Sequence, residues 1–242
     1  IALVNVLIGV VMTGNPIVGL VGLLIFIVAY MGMAALIHLR NIPAIVVTLG
    51  AQFVWYGIAL IVCPTPGGSC PDWISNIFKL RTPVIPLPII IAVLAGLACW
   101  LLLYRTRYGM VMRGIGNNPN SVERSGWNYL TAKMINYGMA GLMVVFAGMT
   151  YTASCNGADA NSSVNYCMLS IATVILGGCE MAGGVVAPAG VVIAAVAMNL
   201  INSLLTAMKV DSNYQTAIIG LILIGVLAFK FIIHRKEAAK NE

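Results

Sequence analysis

Apolar residues run through this chain in long blocks, and polar residues are confined to short breaks between them. The blocks cover about 16–39, 43–63, 87–104, 133–155, 167–178, 186–208 and 214–234. Most are close to the roughly 20 residues that carry a helix across a hydrocarbon core of about 30 Å. Closed β-barrels are the other way to satisfy a backbone in lipid, but their strands alternate polar and apolar residues. A block such as "PIIIAVLAGLACWLLLY" does not alternate. The pattern predicts an all-α integral membrane protein, a polytopic helical bundle. Ile1 to Thr13 is apolar but too short to span alone, and it lacks the basic start of a signal peptide. It is expected to be the tail of a helix that begins upstream, giving seven to eight membrane segments in a bundle lacking its N-terminal helices.

The breaks inside the blocks carry more information than the blocks. Segment 167–178 is short and runs into "GGCEMAGG", Gly177 to Gly184, with Glu180 in its middle. A glycine-rich, charged break near membrane depth is tolerated only where protein or water surrounds it, so a bent or incomplete span inside the bundle is expected. Gly183/Ala187 and Gly190/Ala194 repeat a small-xxx-small spacing that lets helices approach closely, which speaks for packing alone. Thr48 and Gln52 share a helix face, with Trp55 and Tyr56 one turn on, and Asn199 and Asn202 form a similar pair; Asn136 lies near the start of its span. An unpaired amide in lipid costs several kcal/mol, so these side chains are expected to point into the bundle. There Thr48, Gln52, Trp55, Asn199 and Asn202 either line a substrate path or join helices by hydrogen bonds. Apart from Glu180 the spans hold no mid-membrane ionisable residue of the kind that drives ion-coupled carriers.

Composition agrees and charge adds orientation. Of 242 residues, 60% are hydrophobic and 8% charged, and the mean hydropathy is +0.97, too apolar for a water-facing surface. The formal net charge of +6 does not point to nucleic acid, because the basic residues sit at block ends. Arg105, Arg107, Arg113, Arg124 and Lys133 against Glu123 place the 105–133 loop in the cytoplasm, as Arg235, Lys236 and Lys240 do for the 235–242 tail. Arg40 in "HLRN" is inside by parity, and loops 64–86, 156–166 and 209–213 then face outward; Lys79 and Arg81 dissent, partly balanced by Asp72. The domain expected is a single transmembrane one over 1–242, with a cytoplasmic loop at 105–132.

Other chemistry finds little support. Cys63 with Cys70 and Cys155 with Cys167 bracket outward loops where disulfides are allowed, and small apolar fillers or unpaired thiols fit them as well. His38 and His234 are the only histidines and no HExxH, Cys/His cluster or carboxylate pair is present, so no metal site and no catalytic residue is assigned. Asn161-Ser-Ser matches a glycosylation acceptor, a three-residue pattern that chance supplies often.

One polar segment stands apart: "RGIGNNPNSVERSGWN", Arg113 to Asn128. Pro119 suits the first turn of a helix with Asn118 as its cap, and Gly126 suits its end. That predicts a helix of about two turns, Pro119 to Ser125, too short to be stable unless something docks on it. The glycines do not form a phosphate loop, since G-x-x-x-x-G-K-[ST] is absent.

Together, "RTRYGMVMRGIGNNPNSVERSGWN", "LSIATVILGGCEMAGGVVAPAGVVIAA" and "NYQTAIIGLILIGVLA" resemble the permease subunit of bacterial ribose-type sugar ABC importers, in the branched-chain amino acid/ribose permease superfamily. That family shows a T-R-x-G-R-x-x-x-A-x-G-x-N-x-x-A-A-x-x-S-G loop, an I-A-A-x-x-x-G-G-x-x-x-x-G-G segment and a Y-x-Q near the last span. The resemblance implies an ATPase-coupling helix on Asn117, Asn118, Pro119, Asn120, Ser121, Val122, Glu123, Arg124, Ser125 and Gly126, and paired structural glycines at Gly177, Gly178, Gly183 and Gly184. Ser121 and Val122 replace two alanines, Tyr56-Gly57 stands where the family has Arg-Gly, and its upstream D-L-S-V-G segment is absent, in keeping with a truncated N-terminus. The partners implied are a cytoplasmic ABC ATPase that binds ATP and Mg, an extracytoplasmic binding protein and a second permease subunit. The chain itself would hold no cofactor and catalyse no covalent step. A branched-chain amino acid permease is the nearest alternative; an ion-coupled carrier and a structural or signalling subunit are more distant.

Overall fold

Asn15 and Pro16 turn the chain into its first long span, Pro16–Leu39, with proline in the first helical turn where its missing N–H is not needed. In the computed structural model residues 1–79, 87–161, 164, 166–180, 184–211, 214–222, 224–226 and 228 are described, the side chains of 77–79, 87–89, 91, 92 and 119–121 excepted. The helices are α1 (Ala2–Gly14), α2 (Pro16–Leu39), α3 (Ala44–Val62), α4 (Asp72–Lys79), α5 (Leu87–Arg105), α6 (Arg107–Asn117), α7 (Pro119–Arg124), α8 (Tyr129–Cys155), α9 (Tyr166–Leu176) and α10 (Pro188–Ala207). A further apolar helix, α11, covers Tyr214–Val226. Among the described residues α2, α3, α8 and α10 are long and apolar enough to cross a membrane, while Ala2–Gly14, Val93–Arg105, Tyr166–Leu176 and Tyr214–Val226 are shorter apolar stretches. The end of the predicted last span, 229–234, and the 235–242 tail lie outside the described residues. Large apolar side chains such as Ile17 (77% exposed) and Ile61 (83%) cover the outside, the reverse of a water-soluble surface.

The chain forms two compact units, one of Ile1–Ala95 with Asn118–Val164, the other of Gly96–Asn117 with residues from 165 onward. In the first, α1 is the centre of the core. Val4, Val6 and Ile8 are fully enclosed and pack with Leu23, Phe26, Ala59 and Ile74. Residues Leu7–Val11 widen into a π-turn. The Gly9 carbonyl accepts hydrogen bonds from the Ser69 N–H (3.0 Å) and the Thr13 hydroxyl (3.1 Å). The loop after α3 is thereby fixed on α1, and it is joined in turn to the loop after α8 by reciprocal Gly67 and Ala158 backbone bonds of 3.0 and 2.8 Å. At the other end His38 meets Tyr129 ring to ring at 5.0 Å. Loops predicted to share a side therefore do so within this unit.

Glycine sets how closely these helices approach. Gly138 and Gly141 of α8 face Met31, Tyr30 and Ile27 of α2, and any Cβ on Gly148 would collide with Val4 of α1. Asn5 is the buried polar contact in this packing. Its Nδ2 donates to the Asp159 carbonyl (3.3 Å) and its Oδ1 accepts from the Thr152 hydroxyl (2.9 Å), binding α1 to the C-terminal end of α8.

The second unit is built on α9, α10 and α11, with Ala172, Met198 and Ile219 at the centre of its apolar cluster. No disulfide joins Cys63 to Cys70 or Cys155 to Cys167; the Cys63 thiol donates instead to the Thr65 carbonyl at 3.1 Å. Three expected inward-facing residues are corrected here. Thr48, Asn136 and Asn199 are exposed on this chain. For two the reason is local: the Thr48 hydroxyl donates to the Ala44 and Ile45 carbonyls (2.9 and 3.1 Å), and the Asn199 amide donates to the Ala195 carbonyl (3.1 Å), so their own helices satisfy them.

Replacing Asn5 removes a donor from an enclosed carbonyl, whereas replacing Thr48 removes a bond made on a helix surface. Asn5→Ala is expected to destabilise the protein by about 1–3 kcal/mol, and Thr48→Val by less than about 0.5 kcal/mol, measured by thermal unfolding in detergent.

Candidate functional site

The polar segment is held differently on its two sides. After α5 the chain bends at Thr106, whose hydroxyl donates to the Leu102 carbonyl (2.5 Å) and accepts from the Gly109 N–H (3.1 Å), closing the open first turn of α6. At the far end of α6, within the second unit, Asn117 Oδ1 accepts from the Gly184 N–H at 3.3 Å. Gly184 lies so close to the Arg113 carbonyl that any Cβ would collide with it. The Arg113 guanidinium sits 4.6 Å over the Tyr104 ring, and the Tyr104 hydroxyl donates to the Val186 carbonyl at 2.6 Å.

The helix expected at Pro119 to Ser125 is present as α7, Pro119–Arg124, in the first unit. Val122 is its buried anchor, 7% exposed, while Glu123, Arg124, Ser125 and Gly126 are exposed. Gly126 has φ +81°. It lets the chain reverse as the Gly126 N–H reaches the Glu123 carbonyl (3.0 Å) and the Trp127 N–H the Val122 carbonyl (3.4 Å). Asn128 then caps α8, its Oδ1 accepting from the Leu130 and Thr131 N–H groups at 3.1 and 3.5 Å. Asn118 lies between α6 and α7, and Pro119, Asn120 and Ser121 form the first turns of α7. The result is a short helix closed at its C-terminal end by the Gly126 turn, with Val122 buried and Glu123 and Arg124 exposed.

The glycine-rich break also has visible causes. After α9, Gly178 takes φ +94°. A Cβ on Gly177 would stand 2.6 Å from the Val191 backbone, and one on Gly190 would collide with the Gly177 carbonyl, so α9 and α10 meet backbone to backbone. The Ala187 N–H donates to Cys179 Sγ (3.3 Å) and the Glu180 N–H to the Val185 carbonyl (3.3 Å). Gly183 lies outside the described residues, and Glu180 is exposed where an enclosed position was expected. As expected, α9 is an incomplete span of 11 residues.

Of the candidate substrate-path residues, Thr48, Gln52 and Trp55 belong to the first unit and Asn199 and Asn202 to the second. Among the described residues two buried side-chain atoms have no hydrogen-bond partner, Trp55 Nε1 and Asn202 Oδ1, both on this set. Trp55 packs edge-on to Phe26 at 5.4 Å. Sequence reasoning missed Asn5, a lone amide in an apolar run and thus a readable signal, and it missed Tyr104, whose partner is 82 positions away.

A family model described as "Branched-chain amino acid transport system / permease component" matches residues 1–227. The chain belongs to this permease family. Its relatives include the D-allose transport system permease protein of Escherichia coli K12, 26% identical over 202 residues, covering 83% of this chain and 62% of that one. The galactose/methyl galactoside import permease of Haemophilus influenzae is 27% identical over 205 residues, 81% and 61% of the two chains. The ribose import permease of Bacillus subtilis is 33% identical over 156 residues, 64% and 47%. The chain thus spans about six-tenths or less of the length of these relatives. No solved structure matches it. With its apolar helices, this permease is a multi-pass protein of the inner membrane.

Gly126 is the position at which the permease's α7 depends most on one residue type. Gly126→Ala forces an L-residue into left-handed backbone at about 1–2 kcal/mol. Amide hydrogen exchange across 119–127 is expected to quicken about 5–30-fold, while exchange in α8 beyond its first turn stays unchanged.

Proposed function

We propose that this permease is the membrane-spanning subunit of an ATP-driven importer, translocating a monosaccharide of the ribose, xylose or galactose kind delivered by an external binding protein. The observation that carries the reading is α7: a short helix with Val122 buried and with Glu123 and Arg124 exposed. A separate ABC ATPase grips it, binds the ATP and Mg that this chain does not, and moves the Asn117–Gly126 loop as it closes. Alternating access follows as rigid helices pass that motion to the cavity, formed with a second permease subunit. Relatives named for allose, galactose and ribose favour a sugar over a branched-chain amino acid, and the scarcity of ionisable residues in the spans disfavours an ion-coupled carrier.

The test is uptake into proteoliposomes holding the permease, its ATPase and binding protein. Sugar uptake is expected to require ATP and to survive dissipation of ion gradients, and Glu123→Lys is expected to abolish co-purification of the ATPase while leaving membrane insertion intact. Gradient-driven uptake without ATP contradicts the importer.

A further inference from the structure

Segment 184–187 is held on both edges by groups that are neither helix nor sheet. On one edge α5 and α6 supply the Tyr104 hydroxyl to the Val186 carbonyl (2.6 Å) and the Asn117 carboxamide to the Gly184 N–H (3.3 Å). Gly184 meets the Arg113 carbonyl without room for a side chain, and Arg113 lies 4.6 Å over the same Tyr104 ring. The other edge bonds to the glycine turn through Cys179 and Glu180, at 3.3 Å each. Pro188 then opens α10, the helix that carries Asn199 and Asn202. A displacement of the end of α6 therefore cannot leave 184–187 behind without breaking the Asn117–Gly184 hydrogen bond and, with it, either the Arg113–Tyr104 contact or the Tyr104–Val186 bond.

We infer that segment 184–187 is a relay that passes movement of the docking loop to the start of α10, with Tyr104 and Gly184 as its positioning residues. This rests on the reading of 117–126 as the place an ATPase grips. Tyr104 lies outside that stretch and bonds to Val186 and Arg113, so it can be altered while the docking surface is kept; Gly184 touches Asn117 directly.

Tyr104→Phe keeps the ring beneath Arg113 and removes only the hydroxyl; Gly184→Ala keeps the hydroxyl and wedges a methyl group against the Arg113 carbonyl. In proteoliposomes with the ATPase and binding protein, Tyr104→Phe is expected to recruit the ATPase and hydrolyse ATP at near wild-type rates. The amount of sugar taken up per ATP is expected to fall roughly fivefold in Tyr104→Phe, the equivalent of about 1 kcal/mol, and further in Gly184→Ala. An unchanged sugar-to-ATP ratio in Tyr104→Phe overturns the relay, whatever Gly184→Ala does to folding. So does a loss of assembly, hydrolysis and uptake in parallel in Tyr104→Phe, which marks a purely structural contact. A wild-type protein that recruits no ATPase overturns the importer reading and the relay with it.

Discussion

Hydrocarbon offers no hydrogen bonds, and that single deficit governs where this chain can depart from helix. Its described irregular segments are placed where other parts of the chain supply what lipid cannot. The loops after α3 and α8 exchange backbone bonds at Gly67 and Ala158, and the first of them bonds to the Gly9 carbonyl that the π-turn of α1 presents. The break after α9 is closed by the Cys179 thiol, the Glu180 N–H, the Asn117 carboxamide and the Tyr104 hydroxyl. Backbone left open by these breaks is thus tied to specific side chains.

Close approach is the second requirement, and glycine meets it. Without the water-driven clustering of apolar groups, helices in lipid gain by packing backbones tightly. Gly148 against Val4, Gly177 against Gly190 and Gly184 against the Arg113 carbonyl are such approaches. The last joins a packing device to the loop that carries α7, so one substitution there would alter both the fit of a helix end and the path from the loop to α10.

Much of this was legible in the residues, and the rest was hidden for physical reasons. Apolar block length placed α2, α3 and α10 to within about two residues, because only helices satisfy so long a backbone in lipid. The ends of α7 could be read from Pro119 and Gly126, since those two residue types leave few backbone choices. The burial of Leu3, Val4, Asn5, Val6 and Ile8 in the first helix could not be read from its length. It depends on loops more than 50 positions away folding over Gly9 and Asn5. Likewise Thr48 and Asn199 looked like interior residues because an amide or hydroxyl needs a partner in lipid; their own helix carbonyls meet that need. The Tyr104–Val186 bond leaves no mark in local spacing.

The central claim is that α7 is the surface an ATPase grips, at the end of the bundle opposite the Gly67–Ala158 junction. Its most direct measurement is site-specific photocrosslinking in membranes that contain the ATPase, with the crosslinker at exposed Arg124 or at exposed Ser154 near the other end of α8. The account predicts a covalent adduct with the ATPase from position 124 and none from position 154. Equal capture from both positions, or none from 124 in membranes where ATP-dependent uptake is running, would contradict it.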